Sequence, residues 1–127
     1  MLQFHGTESP AFCKQFGRPY LKAIAMEEDV DLVRENDRFY SASALLLDSA
    51  HDGQFGGTGA TFDWSRVLPE VRDRVILAGG LSADNVAAAV AQVRPVAVDV
   101  SSGVERSQGI KDRAKIEAFV RAARGAG

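Results

Sequence analysis

The chain has 127 residues, 46% of them apolar and 25% charged, with a formal net charge of −2. That length suits one domain with a real core, burying about two-thirds of the surface its unfolded chain exposes. The slightly acidic balance argues against a nucleic-acid partner, which needs a basic face, and no apolar run approaches the ~18 residues of a membrane span.

In chain order, short apolar runs recur with helical patterns between them. The first, LQFH (2–5), reads as a strand, and the opening stretch MLQFHGTESP has no basic region followed by an apolar core, so it does not read as a secretory signal. Ser9-Pro10 then pairs an N-cap with proline at the first helical position. The helix it opens holds the single cysteine, Cys13. Cys13 can form no internal disulfide, which makes a reducing cytoplasm the default compartment, and a place inside a helix suits it to packing rather than to nucleophilic work.

A second run, YLKAIA (20–25), is followed by EEDVDLVREN (27–36), a helix with few apolar positions. A third run, ALLLDS (44–49), ends in a lone acid, Asp48, and leads into the glycine-rich segment HDGQFGGTGATF (51–62). The region from Trp64 to Val71 reads as a short helix broken near Pro69. VILAGG (75–80) is the fourth run. After it, Ser82 can cap a helix whose Val86, Ala89, Val90 and Val93 share one face. The fifth run, VAVDVSS (96–102), precedes a helix capped by Asp112, with Ile116, Phe119, Val120 and Ala123 at the same spacing and Gly125 at its end. The runs are near-continuous rather than alternating, as in strands buried on both faces. Five β/α repeats imply an α/β fold, a parallel sheet covered on both sides or closed into a barrel, in a single domain.

Sites in such folds lie at the carboxyl ends of the strands. There the sequence places His5-Gly6, Asp48-Ser49, Gly79-Gly80 and Asp99 to Gly103. Gly79 and Gly80 either serve a tight strand-to-helix turn or let a ligand approach the backbone, with the next helix's N–H groups facing an anion. Ser101, Ser102 and Gly103 either satisfy their own turn or add hydroxyls and amides to the same anion site. Asp48, partly desolvated, is suited to general-acid work; alternatively it caps the loop or pairs with Lys22. The glycine-rich segment can act as a lid over a bound substrate. His5 and His51, the only histidines, show no metal-ligand spacing, and no nucleophile elbow or P-loop is present.

The motifs LQFHGTESPAFC, LLLDS…GGTGATFDW, ILAGGLSADNVAAAV and VDVSSGVE…GIKD, in this order, resemble those of phosphoribosylanthranilate isomerase, an enzyme of tryptophan and hence aromatic amino acid biosynthesis. The resemblance implies a TIM (β/α)8 barrel. It also implies a cofactor-free aldose–ketose isomerisation, the Amadori rearrangement of N-(5-phosphoribosyl)anthranilate to 1-(2-carboxyphenylamino)-1-deoxyribulose 5-phosphate. Asp48 matches the family's general acid. Gly79, Gly80, Ser102 and Gly103 match its phosphate-binding loops. Gln3 and His5, in QFHG, match a pocket-lining strand-end motif, and Asp99 matches a polar residue facing the anthranilate end.

The matched motifs begin at about the family's fourth strand. The expectation is therefore an incomplete barrel, with residues 1–127 as its C-terminal part. The family's general-base cysteine and its anthranilate-binding arginine precede the matched portion, and Cys13 matches a helix position instead. The expected partners are a small phosphosugar substrate and either a second copy or an N-terminal barrel segment, with weak or no activity in the isolated chain. A non-catalytic phosphate-binding half barrel is the other reading. A different phosphosugar enzyme is disfavoured by the acid-plus-lid signature.

Overall fold

The computed structural model describes residues 1–51, 54–55 and 60–126. In chain order the elements are β1 (Leu2–Phe4), α1 (Pro10–Lys14), β2 (Tyr20–Ala25), α2 (Leu32–Arg38), β3 (Ala44–Asp48), a hairpin of β4 (Ala50–His51) and β5 (Gln54–Phe55), 3-10 turns at Trp64–Arg66 and Arg72–Arg74, β6 (Val75–Leu77), α3 (Val86–Val93), β7 (Ala97–Val98), a 3-10 turn at Ser102–Val104, a second hairpin of β8 (Glu105–Ser107) and β9 (Ile110–Lys111), and α4 (Arg113–Gly125). One parallel sheet runs β1-β2-β3-β6-β7, so β1 and β7 are its outer strands. The α/β class and parallel sheet expected from the apolar runs are what the chain adopts.

The sheet's two faces differ because alternate residues point opposite ways. On one face Tyr20, Ile24, Leu45, Leu47, Val75 and Leu77 join Val86, Ala89, Val93 and Phe119 of the helices in the main core. Burial of Leu45, Leu47 or Leu77, each fully enclosed, contributes about 1.5–3 kcal/mol. The opposite face carries a smaller cluster of Ala23, Leu46 and Ala78 with Ile76 against it. Alternation along β3 puts Asp48 on this second face with Leu46, away from the helices.

Local chemistry fixes the connections. Ser9 accepts from Phe12 N–H at 3.2 Å, with Pro10 opening α1, and Asp112 accepts from Lys115 N–H at 3.1 Å at the start of α4, as the sequence indicates. Cys13 is a fully buried packing residue of α1. The carbonyls at the end of α2 are held by one guanidinium: Arg74 donates to the carbonyls of Asn36, Phe39, Tyr40 and Ala42, satisfying groups that a helix end leaves open.

Several boundaries differ from the sequence reading. β3, β6 and β7 stop at Asp48, Leu77 and Val98, because the glycines and polar residues beyond them turn the chain off the sheet. The helix expected at 27–36 starts at Leu32, where Asp31 accepts from Arg34 N–H at 3.1 Å. The helix expected from Trp64 to Val71 is instead a pair of 3-10 turns, the first capped by Asp63. Ser82 does not cap α3. Its Oγ accepts from Asp84 N–H in the preceding turn, and Asn85 occupies the cap position. Ile116 and Val120 were expected on the buried face of α4, yet each is 40% exposed; Phe119 alone in that helix is buried. The β8–β9 hairpin, not anticipated, folds back so that Asp112 N–H reaches Val104 O at 2.8 Å.

Candidate active site

Three adjacent strands end on one rim. Ala78 N–H donates to Leu47 O at 2.8 Å and Asp99 N–H donates to Leu77 O at 2.9 Å, so the residues following β3, β6 and β7 lie side by side. Asp48 is partly buried, and its Oδ1 is enclosed with no hydrogen-bond partner among the described residues. Burial pushes the Asp48 carboxyl above the ordinary value. Ser49 N–H opposes that shift, and the nearby Asp99 carboxylate adds to it. Lys22, the alternative partner for Asp48, is engaged on the other face of the sheet. It is buried, donating to Gly6 O at 2.7 Å and Glu8 Oε1 at 3.0 Å, with the Phe39 ring 5.4 Å away.

Gly79 and Gly80 are held where a side chain cannot be. Both have positive φ, +83° and +70°. A Cβ on Gly79 would stand 2.6 Å from Asp48 Oδ1 and 2.8 Å from Ser49 Oγ; one on Gly80 would stand 2.6 Å from the carbonyl carbon of Ala60 and 2.9 Å from Thr61 N. The glycines thus let the acid, the turn after β6 and the chain at 60–61 close on one another. Residues 52, 53 and 56–59 of the glycine-rich segment, expected from the sequence as a lid, lie outside the described residues.

The turn after β7 meets the turn after β6. At Gly103 a Cβ would stand 3.0 Å from the carbonyl carbon of Leu81 and 3.1 Å from Val100 Cγ2. Ser101 stands at the cap position of the 3-10 turn, and Ser102 is exposed beside it. Asn85 ties the first turn from within, its Nδ2 donating to Gly80 O at 2.9 Å and its Oδ1 accepting from Ser82 N–H at 2.8 Å. Two backbone turns that meet where Gly103 packs on Leu81, each leading into a helical segment, suit an anion.

The structure therefore brings Asp48, Gly79, Gly80, Asp99, Ser102 and Gly103 to one rim. Gln3 and His5 stand two strands away on and beyond β1, with Gln3 in register with Leu21 and both residues exposed. Sequence reasoning missed Asn85 and Lys111. Asn85 had a signal, its place three residues after Ser82 in a glycine turn. Lys111 stands in the GIKD motif, but nothing local brings it to Ser101, which it reaches through the β8–β9 hairpin. Cys13, buried in α1 with its thiol pushed up by burial, takes no part in the rim. Among the described residues no cluster of His, Cys, Asp and Glu could hold a metal ion, and no helix is long and apolar enough to cross a membrane.

A family model described as N-(5'-phosphoribosyl)anthranilate (PRA) isomerase matches residues 1–122. The N-(5'-phosphoribosyl)anthranilate isomerase of Nitrosococcus oceani is 57% identical over 121 residues, covering 95% of this chain and 59% of the relative. That of Thiobacillus denitrificans is 56% identical, covering 94% and 58%. This chain thus spans under two-thirds of the length of these relatives. Among solved structures, phosphoribosyl anthranilate isomerase from Thermotoga maritima superposes with a TM-score of 0.82 at 38% identity, covering 97% of this chain and 60% of that one. A phosphoribosyl anthranilate isomerase in complex with reduced 1-(o-carboxyphenylamino)-1-deoxyribulose 5-phosphate superposes at 0.77 with 37% identity, covering 97% and 58%.

Proposed function

The chain belongs to the N-(5'-phosphoribosyl)anthranilate isomerase family, and from that membership we propose that it carries the acid and the phosphate cradle of that family's isomerisation. The observation that carries the reading is the closure of Asp48 Oδ1 on Gly79 together with that of Gly103 on Leu81, which joins one carboxyl group and two anion-suited turns on a single rim.

In this reading the phosphate of N-(5'-phosphoribosyl)anthranilate sits against the amides of Gly80, Ser102 and Gly103, with Gly79 giving the turn its shape. Asp48 protonates the ribose ring oxygen. The C1–O bond breaks as the anilino nitrogen's electron pair forms a C1=N iminium. Loss of the C2 proton then gives an enolamine, which tautomerises to the aminodeoxyribulose phosphate. A carboxyl raised by burial retains more of its proton near neutrality, as this first step requires. Asp99 faces the anthranilate end, while Gln3 and His5 line the far side of the pocket. No cofactor enters the chemistry.

No residue of this sequence matches the base that takes the C2 proton. Loss of a general base typically costs about 10²–10⁴-fold, so slow turnover is expected from this polypeptide by itself. The five-stranded sheet serves as part of a (β/α)8 barrel in the cytoplasm, and its outer strands β1 and β7 take up further strands, from a second copy or from a segment supplying the base.

The test is turnover of N-(5'-phosphoribosyl)anthranilate by the purified chain, alone and mixed with a polypeptide spanning the part of the Nitrosococcus oceani relative that this chain does not match. Turnover in the mixture, reduced at least a hundredfold by Asp48→Asn, is expected. A mixture without turnover, or an Asp48→Asn mixture as fast as the parent, would overturn the reading.

A further inference from the structure

We infer that Lys111 is a positioning residue for the anion-cradling turn at 101–103. The inference rests on the phosphate-binding reading of that turn and deepens it.

Lys111 lies on β9 and stretches back across the hairpin. Its ammonium donates to Ser101 O at 2.8 Å, to Ser101 Oγ at 3.3 Å and to Glu105 Oε2 at 2.8 Å. The three acceptors match the three protons of an ammonium group. Glu105 is fixed in turn: Gly109 N–H donates to its Oε1 at 3.2 Å, and Lys115 Nζ donates to its carbonyl at 2.8 Å. The hydrogen bond from Lys111, with that from Gly109 N–H, holds the Glu105 carboxyl below its ordinary value.

Ser101 lies three residues past β7, at the cap position of the 3-10 segment Ser102–Val104. Lys111 holds its carbonyl and hydroxyl from the hairpin side and so anchors the start of the turn. The peptide planes that follow, carrying the Ser102 and Gly103 amides, take their direction from that anchor.

The experiment is a titration of the isotopically labelled full chain with inorganic phosphate, followed by NMR through the amides of Gly80, Ser102 and Gly103 and the Cε resonance of Lys111. In the parent chain all four signals are expected to move along one saturation curve. Lys111→Met is expected to weaken phosphate at least tenfold, and Lys111→Arg to recover most of that loss. Glu105→Gln, which breaks the ion pair but leaves the ammonium on Ser101, is expected to bind within about threefold of the parent. A merely structural hairpin contact would make Glu105→Gln and Lys111→Met alike, and that result overturns the inference, as does Lys111→Met binding like the parent. Should Lys111→Met not fold, a Lys111 Cε resonance that ignores phosphate while the amides respond overturns it. A parent chain whose amides ignore phosphate defeats the cradle reading, and the inference with it.

Discussion

Asp48 Oδ1 lies so close to Gly79 that a Cβ on the glycine would stand 2.6 Å from it, and Gly79 has φ +83°. Contact and conformation both exclude a side chain. Gly79→Ala is therefore expected to cost about 3 kcal/mol, part from the left-handed backbone and part from displacing Asp48 and Ser49. Gly17 supplies the control. Its φ is +60° and nothing lies within 4 Å of its missing Cβ, so Gly17→Ala carries the backbone cost alone, about 1 kcal/mol. Urea unfolding of the two variants measures the difference; equal losses would mean that the Asp48 contact is not tight.

Asp48 should weaken the fold it serves. Its carboxyl is raised in the folded chain, so the native state holds that proton more tightly than the unfolded one. Stability is then lost as pH rises from the ordinary carboxylate value, about 3.9, through the folded pKa. Asp48→Asn removes this penalty. It is expected to raise Tm at pH 7, with the gain shrinking to nothing below about pH 4. A lower Tm at pH 7 would show that the carboxylate is stabilised by partners.

Glu8 works in the opposite sense. Burial acts to raise its carboxyl, but the hydrogen bonds from Lys22 and Gly6 N–H and the charge of Lys22 outweigh that and hold it below its ordinary value. Its contribution is present above the unfolded pKa, about 4.3, and is lost as pH falls through the folded one. Glu8→Gln leaves the Lys22 ammonium, only 3% exposed, without a counter-charge. Partial exposure of Glu8 moderates the loss to about 2 kcal/mol at pH 7. Thermal unfolding from pH 7 down to pH 3 should show the variant's deficit vanish at the acid end; a deficit constant with pH would remove the charge from the explanation.

The outer strands predict association. β1 and β7 end the sheet, and Ile116 and Val120 of α4 leave an apolar strip, each 40% exposed. Sedimentation of the chain at micromolar concentration should show a dimer or larger species, and a charge at the strip, as in Val120→Glu, should shift it toward monomer. A stable monomer in both would contradict this.

Much of the rim was legible in the sequence because strand ends in a parallel sheet fall side by side. Asp48, Gly79-Gly80 and Ser102-Gly103 each follow an apolar run, and the register of β3, β6 and β7 makes them neighbours. Caps were legible where one side chain decides them, at Ser9 and Asp112. The cap at Ser82 was not, because the chain first makes a turn in which Ser82 Oγ accepts from Asp84 N–H, and α3 starts only at Val86. The exposure of Ile116 and Val120 was hidden for a related reason. Helical spacing marks an apolar face but not which part of it finds a neighbour. Lys111 depended on a two-strand hairpin whose register no local pattern specifies.

The most direct measurement is a crystal structure of the chain with reduced 1-(o-carboxyphenylamino)-1-deoxyribulose 5-phosphate, the compound held by one of the solved isomerases. The expected result has its phosphate within hydrogen-bond distance of the Gly80 and Gly103 amides and the sugar portion reaching Asp48. Phosphate density elsewhere, or a sugar that leaves Asp48 out of reach, would contradict the account.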